Sequence, residues 1–378
     1  GPARVVGRRG AEAVHLMGTA DAAADRRWMA RALELAEAGW GRVHPNPLVG
    51  AVVVREGRVV GEGAHREYGG PHAEVEALDS AGAAARGATL YVTLEPCAHH
   101  GKTPPCTTAV LDGGIARVVY AVADPHPAAG GGAARLREAG LEVTGGVLED
   151  EARARNALFL RPLERERPFV AVKLAVTLDG RIARREGERS AVTGPETQEH
   201  VHRLRAGFDA VLIGGRTARV DDPSLTVRLG RAPRVPPIRV VADPMARLAP
   251  DGALVRTAEE VPVWVLVGPD APADRSARLR ERGVEVVATA AGPEGLDLRS
   301  ALVTLMERGV RTVLCEGGGR LVDSLLDADR VDRLYLFIAP VVWGRGVPAF
   351  PGPAGFVGRP VEHRAVGVDT LITVDRSD

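Results

Sequence analysis

Strand-length apolar runs alternate with helix-period segments along almost the whole chain, and this alternation restricts the fold more than any single residue does. In the first half "LVGAVVV" (48–54) and "RVVGEG" (58–63) flank the turn "REG" and read as a hairpin. "ATLYVTL" (88–94), "ARVVYAV" (116–122) and "LEVTGG" (141–146) read as further strands. Helical spacing recurs over 25–39, 71–85, from about Pro105, near 132–139 and over 149–160. Strands interleaved with helices imply a sheet covered on both faces, a three-layer α/β arrangement.

The pattern breaks at "RPLERERP" (161–168), which is charged and bounded by prolines, and then starts again with "FVAVKLAV". Strands are expected at 209–214, 238–243, 261–268, 284–289, 310–316 and 331–340, helices at 195–206, 296–308 and 319–327, and a closing hairpin from 361–366 and 370–375. A length of 378 residues suits two cores better than one. The expected division is therefore an extension over 1–24, a first domain over 25–165 and a second over 166–378. Residues 1–24 show no sustained amphipathic pattern and are expected to be poorly ordered.

With 45% hydrophobic residues, each half can bury a core without disulfides. The 49 basic and 49 acidic residues cancel, which argues against nucleic acid or an anionic membrane as partner. No apolar run approaches the roughly 18 residues of a membrane span, and no signal-peptide core is visible. A cytoplasmic protein acting on small molecules is expected.

Only three cysteines occur, and two of them, Cys97 and Cys106, follow a His-x-Glu pair, His72 and Glu74. One imidazole and two thiolates match the three protein ligands of a catalytic zinc site, whose fourth position is left to water. Glu74 stands near the start of the same helix, placed to carry protons without binding the metal, as in the zinc deaminases of nucleobases. Here eight residues, "AHHGKTPP", separate the cysteines, so the short-loop form of that signature does not apply. The bland alternatives are a structural zinc closed by His99 or His100, or two buried thiols with a solvated Glu74. His44, His65 and His126 read as ordinary histidines.

In the second half, Gly317, Gly318 and Gly319 lie between an apolar strand and a helix, where backbone can approach a phosphate closely. The run lacks the G-x-G-x-x-G spacing of a Rossmann domain and alone is equally a plain turn. Lys173 is an ionisable residue inside an apolar strand, a costly placement unless it is paired.

Taken together, "HPNPLVGAVVV", "PHAEVEAL", "VTLEPCAHHGKTPPC" and "DPHP", then "KLAVTLDGR", "VTGPETQEHVHRLRAGFDAVLIGGRT", "DDPSLTVR" and "EGGGRLVDSLL", resemble in order the blocks of the bifunctional riboflavin-biosynthesis deaminase/reductases. The resemblance implies a cytidine-deaminase-like three-layer domain followed by a dihydrofolate-reductase-like domain. It implies zinc on His72, Cys97 and Cys106, with Glu74 catalytic and a phosphorylated diaminopyrimidinone bound by Asn46, Lys102 and Asp124. In the second half it implies NADPH against Ala175, Thr217, Asp221 and Gly317 to Gly319, with the ribosyl phosphate substrate against Lys173, Arg205, Leu225, Arg228 and Glu316. Assembly into a homo-oligomer, a dimer or tetramer joined through the reductase half, is implied as well. Three positions depart from the family pattern: His126 stands for an Asn, and Arg189 and Ala191 stand for the Ser and Trp of "GESxWIT". A nucleobase deaminase with an unrelated second domain and a zinc-stabilised sensor without turnover are the competing readings.

Overall fold

The computed structural model describes residues 9–99, 104–125, 130–292, 295–353 and 355–377, with side chains from residue 21 onward. The chain divides into two compact units, Gly1–Asn156 and Ala157–Asp378.

The first unit contains α1 (Arg9–Ala36), β1 (Gly50–Arg55), β2 (Arg58–Ala64), α2 (Ala73–Ala81), β3 (Thr89–Leu94), α3 (Cys106–Asp112), β4 (Arg117–Val122), α4 (Gly132–Glu138), β5 (Glu142–Thr144) and α5 (Glu149–Arg155). Its sheet has the order β2-β1-β3-β4-β5. β1 runs antiparallel to β2 and β3, and β3, β4 and β5 are parallel. The glycines of the first hairpin set how closely the helices approach. A Cβ on Gly50 would lie 2.0 Å from Ala32 O of α1, and one on Gly63 would lie 2.3 Å from Ala73 O of α2. Any side chain at either position would push a helix off the sheet.

Tyr91 Oη donates to Asp25 at 2.8 Å, and the Arg117 guanidinium grips the same carboxylate with two bonds of 2.8 Å. This buried network ties α1 to the middle of the sheet.

The second unit contains α6 (Ala157–Arg165), β6 (Phe169–Thr177), β7 (Arg181–Ala183), α7 (Pro195–Ala206), β8 (Ala210–Gly214), α8 (Gly215–Asp221), β9 (Ile238–Ala242), α9 (Ala253–Arg256), β10 (Val263–Val267), α10 (Ala273–Arg280), β11 (Glu285–Ala288), α11 (Leu298–Glu307), β12 (Thr312–Cys315), α12 (Gly319–Asp327), β13 (Arg333–Ala339), β14 (Val347–Pro348), β15 (Gly358–Val366) and β16 (Asp369–Arg376). The main sheet has nine strands in the order β11-β10-β9-β8-β12-β6-β13-β16-β15. It is parallel from β11 to β13 and closes with the antiparallel hairpin β15–β16. Alternate residues of one strand enter different cores: Leu212 packs with Val240 and Val313, while Val211 and Ile213 pack with Val241 and Val265. That alternation is the signature of a sheet buried on both faces.

Several sequence expectations shift. Helix α1 begins at Arg9, not near Asp25, because the Ala-rich stretch before Asp25 has high helix propensity without needing an amphipathic face. The helix expected over 149–160 is broken at Asn156, whose side chain accepts from Leu48 N and donates to Leu48 O, both at 2.8 Å. The boundary falls before the charged stretch because α6 belongs to the second unit. There Arg165 and Arg167 meet the fully buried Asp332 at 2.9 and 2.7 Å. Helices α8 and α10 were not expected; both are short and polar, with too few apolar residues to show a period. No helix is long and apolar enough to cross a membrane among the described residues.

Burial works to raise the Asp25 pKa, but the bonds from Arg117 and Tyr91 outweigh it and hold the carboxyl below its ordinary value. A depressed folded-state pKa stabilises above the unfolded pKa and loses that contribution as pH falls through the folded one. Asp25→Asn is expected to cost about 2–3 kcal/mol at neutral pH. In thermal melts the gap to the native chain narrows once the pH drops below about 4.

Candidate functional sites

In the first unit, three segments converge. His72 is the N-cap residue of α2, Cys97 follows the end of β3, and Cys106 is the first residue of α3. The parallel connection β3–α3 returns Cys106 to the strand end from which Cys97 departs, and Cys106 N donates to Cys97 Sγ at 3.3 Å. His72 Nδ1 lies 3.0 Å from Cys106 Sγ and 3.8 Å from Cys97 Sγ. All three donor atoms fall within 4.8 Å of one another. Donors held about 2.0–2.3 Å from one tetrahedral ion would have such separations, so the set fits zinc in size and in chemistry.

The electrostatics favour metal capture. The bond from Cys106 is the largest influence on the Cys97 thiol, which is pulled down to about 4 against the effect of burial, with His72 adding to the pull. The Cys106 thiol is pushed up by the same shared proton and by burial. His72 is raised, first by its bond to Cys97. Glu74, on the first turn of α2, is 4% exposed, and burial raises its carboxyl while His72 opposes the rise. A carboxyl that burial makes more basic suits a proton carrier.

The sequence reading passed over two neighbours. His65 is buried, with its ring 5.5 Å from that of His72. An amide nitrogen can only donate, so Asn46 Nδ2 bonds to an unprotonated His65 Nε2 at 3.1 Å, and His65 Nδ1–H donates to Pro71 O at 2.9 Å. Burial lowers the His65 pKa, in keeping with a neutral ring. Glu95, buried at the end of β3, accepts from Ala133 N at 2.8 Å and from Asp124 N at 3.2 Å, and so fixes the start of the "DPHP" loop. The only signal available for His65 was its place 7 residues before His72 of the His-x-Glu pair, and a lone His carries no such address. Lys102, His100 and His126 lie outside the described residues.

The second unit has a cleft of about 430 Å³. Lys173 and Ala175 of β6, Arg205 of α7, Thr217 and Asp221 of α8, then Leu225, Arg228, Glu316, Gly317 and Gly318 all line it. Gly319 begins α12 immediately beyond the lining. At one end Arg205 forms a two-pronged ion pair with Glu316, at 2.6 and 2.9 Å, and also donates to Thr226 O at 3.1 Å. Burial works to raise Glu316, but Arg205 and then Lys173 hold it below its ordinary value. Burial lowers the Lys173 ammonium, and Glu316 only partly restores it.

At the other end Gly318 N donates to Thr217 Oγ1 at 3.3 Å. Space rather than handedness limits two of these glycines, Gly319 against neighbouring backbone and Gly317 against the end of a leucine side chain. A Cβ on Gly317 would sit 2.7 Å from Leu321 Cδ2, and one on Gly319 would sit 2.9 Å from Pro351 Cδ. Arg189 and Ala191 also line the cleft, and Arg189 opposes the rise that burial imposes on the Asp221 carboxyl.

Comparison with known proteins assigns both halves. Residues 22–122 match the cytidine and deoxycytidylate deaminase zinc-binding region, and residues 168–372 match the RibD C-terminal domain. The riboflavin biosynthesis protein RibD of Aquifex aeolicus is 44% identical over 324 residues, 85% of this chain and 89% of its own length. That of Escherichia coli is 39% identical over 370 residues, 92% and 98% of the two chains. Among solved structures, Acinetobacter baumannii RibD aligns over 94% of this chain and 100% of its own with a TM-score of 0.79 at 33% identity. A Thermotoga maritima deaminase/reductase aligns over the same shares with a TM-score of 0.78 at 36% identity.

Cys97 is half-exposed and the more acidic thiol, whereas Cys106 is buried. After chelation, iodoacetamide at neutral pH is therefore expected to label Cys97 well before Cys106, and added zinc to protect both. Peptide mass spectrometry checks the order.

Proposed function

The chain belongs to the RibD family of bifunctional riboflavin-biosynthesis deaminase/reductases, and on that premise we propose the residues and substrates of its two reactions. In the first unit, His72, Cys97 and Cys106 hold zinc, and the substrate is 2,5-diamino-6-ribosylamino-4(3H)-pyrimidinone 5′-phosphate. The observation that carries this reading is the convergence of those three donor atoms within 4.8 Å beside a buried Glu74. When bound, zinc supplies Lewis acidity that lowers the pKa of water toward neutrality. Glu74 takes a proton from water as it attacks the ring carbon that bears the amine and delivers it to the ring nitrogen, then takes the remaining proton of the added hydroxyl and delivers it to the amine, which leaves as ammonia. Burial makes this carboxyl more basic and so a better proton acceptor. Asn46, with one amide proton committed to His65, presents its remaining donor and its oxygen to the pyrimidine edge. Asp124 and Lys102 complete the expected substrate contacts.

In the second unit, the ribosyl group of the deaminated product is reduced to ribityl. NADPH supplies the hydride when bound, and Gly317, Gly318, Gly319, Thr217, Asp221 and Ala175 form its berth. Arg205 and Arg228 hold the substrate, the first already oriented by Glu316. Lys173, with its ammonium lowered by burial, and Glu316 lie together in the cleft as a donor and acceptor pair for the sugar oxygens. Association of copies through the second unit is also proposed, and light scattering of the purified chain tests it.

Glu74→Gln should retain stoichiometric zinc by elemental analysis while deamination falls by about four orders of magnitude or more; a variant that still deaminates at the native rate removes Glu74 from this role. Incubating the native chain with the diaminopyrimidinone phosphate should give one mass change without NADPH and a second when NADPH is added. Arg205→Ala should lower the reductase kcat/KM by about a hundredfold or more, because Glu316 is left buried without its partner, and leave deamination unchanged.

A further inference from the structure

We propose that Arg239 is a positioning residue of the reductase cleft, holding the 221–228 loop in the shape that aims Arg228 at the phosphate of the substrate. The proposal rests on the reading of that cleft given above. Arg239 lies in β9 and is 0% exposed, among the largest fully buried side chains of the protein. Among the described residues no carboxylate forms an ion pair with it. Burial lowers its pKa to about 10, with Glu260 opposing, so it stays charged at neutral pH. A buried charge without a counter-ion is a costly placement, and a sheet core asks only for an apolar side chain there.

Its hydrogen bonds show what the charge holds. Nη1 donates to Thr257 Oγ1 at 2.6 Å and to Ser224 O at 3.3 Å, and Nη2 donates to Thr257 O at 2.8 Å and to Val261 O. Thr257 Oγ1 in turn donates to Ala253 O at 2.8 Å, bringing α9 into the same net. Ser224 is the link to the cleft: its hydroxyl accepts from Arg228 Nη1 at 2.6 Å. A planar fork of N–H donors can serve acceptors from separate segments at once, which a Lys ammonium, with three donors on a single nitrogen, can do only in part and an apolar residue not at all.

The loop needs such a hold. Asp222 and Leu225 have φ of 41° and 52°, the left-handed region that non-glycine residues rarely adopt, and Leu225 is buried in the cleft wall. Strained backbone of this kind persists only where its surroundings over-determine it. The bonds that fix it come from side chains outside the loop or at its edge: Arg239 to Ser224 O, Arg205 to Thr226 O, and His202 Nδ1 accepting from Arg228 N at 3.1 Å. Of these anchors, Arg239 alone is remote from the cleft lining, so its influence on the substrate runs through Ser224 and Arg228.

The test is a double-mutant cycle in the full-length chain, combining Arg239→Met with Arg228→Ala. The reductase KM for the deaminated pyrimidine phosphate should rise about tenfold or more in each single variant, and the second substitution should add less than about threefold to the first. The dissociation constant for NADPH, read by fluorescence titration, should change less than about threefold, and Arg239→Lys should fall between native and Arg239→Met. If Arg239→Met lowers the melting temperature but leaves KM native, or if the two effects multiply, Arg239 is a core staple only and the proposal is overturned. If Arg239→Met does not fold, Arg239→Lys and Thr257→Val enter the same cycle with the same criteria. If the native chain reduces nothing, the cofactor reading fails separately. The proposal is then decided by calorimetry with ribose 5-phosphate, whose affinity Arg239→Lys must weaken in the same direction as Arg228→Ala.

Discussion

The deaminase half depends on bringing two sulfurs and one imidazole nitrogen to a single point from three segments of the chain. Each donor lies where regular structure begins or ends: His72 caps α2, Cys97 leaves β3, and Cys106 starts α3. Strand–helix junctions at one edge of a parallel sheet can meet in this way, because each crossover returns the chain to the same edge. The close seating of α1 and α2 permitted by Gly50, Gly61 and Gly63 fixes the depth of that edge. Burial acts on Glu74 beside the three donors: the exclusion of water that raises its carboxyl also strengthens electrostatic interactions around it.

The reductase cleft uses burial differently. Lys173, Glu316 and Arg205 share a low-dielectric corner in which burial disfavours the charged form of each. Arg205 settles the balance in favour of an ionised Glu316, and Lys173 is left with a weakened hold on its proton. The glycine turn that follows Glu316 carries no side-chain charge, and Gly319 lies close to Pro348 O and Ala349 O.

Much of this could be read from residues in order. Period-two and period-three-to-four apolar spacing located most strands and the longer helices, because burial on a sheet face writes itself into composition. His72, Glu74, Cys97 and Cys106 could be read because few other chemistries require that combination. The short polar helices α8 and α10 were illegible, since they carry too few apolar residues to show a period. The break at Asn156 was equally hidden: it exists for Leu48, more than a hundred positions away, and no local signal announces such a partner.

The sequence by itself determined the kinds of chemistry available: three metal donors, a proton carrier, a glycine turn, and arginines enough to bind phosphates. Those are properties of residue type and spacing. Only the tertiary structure decided which residues of a type have a task. It set His65 against Asn46, and it placed one fully buried arginine, among many in the chain, against the loop that carries Arg228. The reason is that desolvation and hydrogen-bond geometry are set by what the fold brings into contact, and a linear pattern records neither.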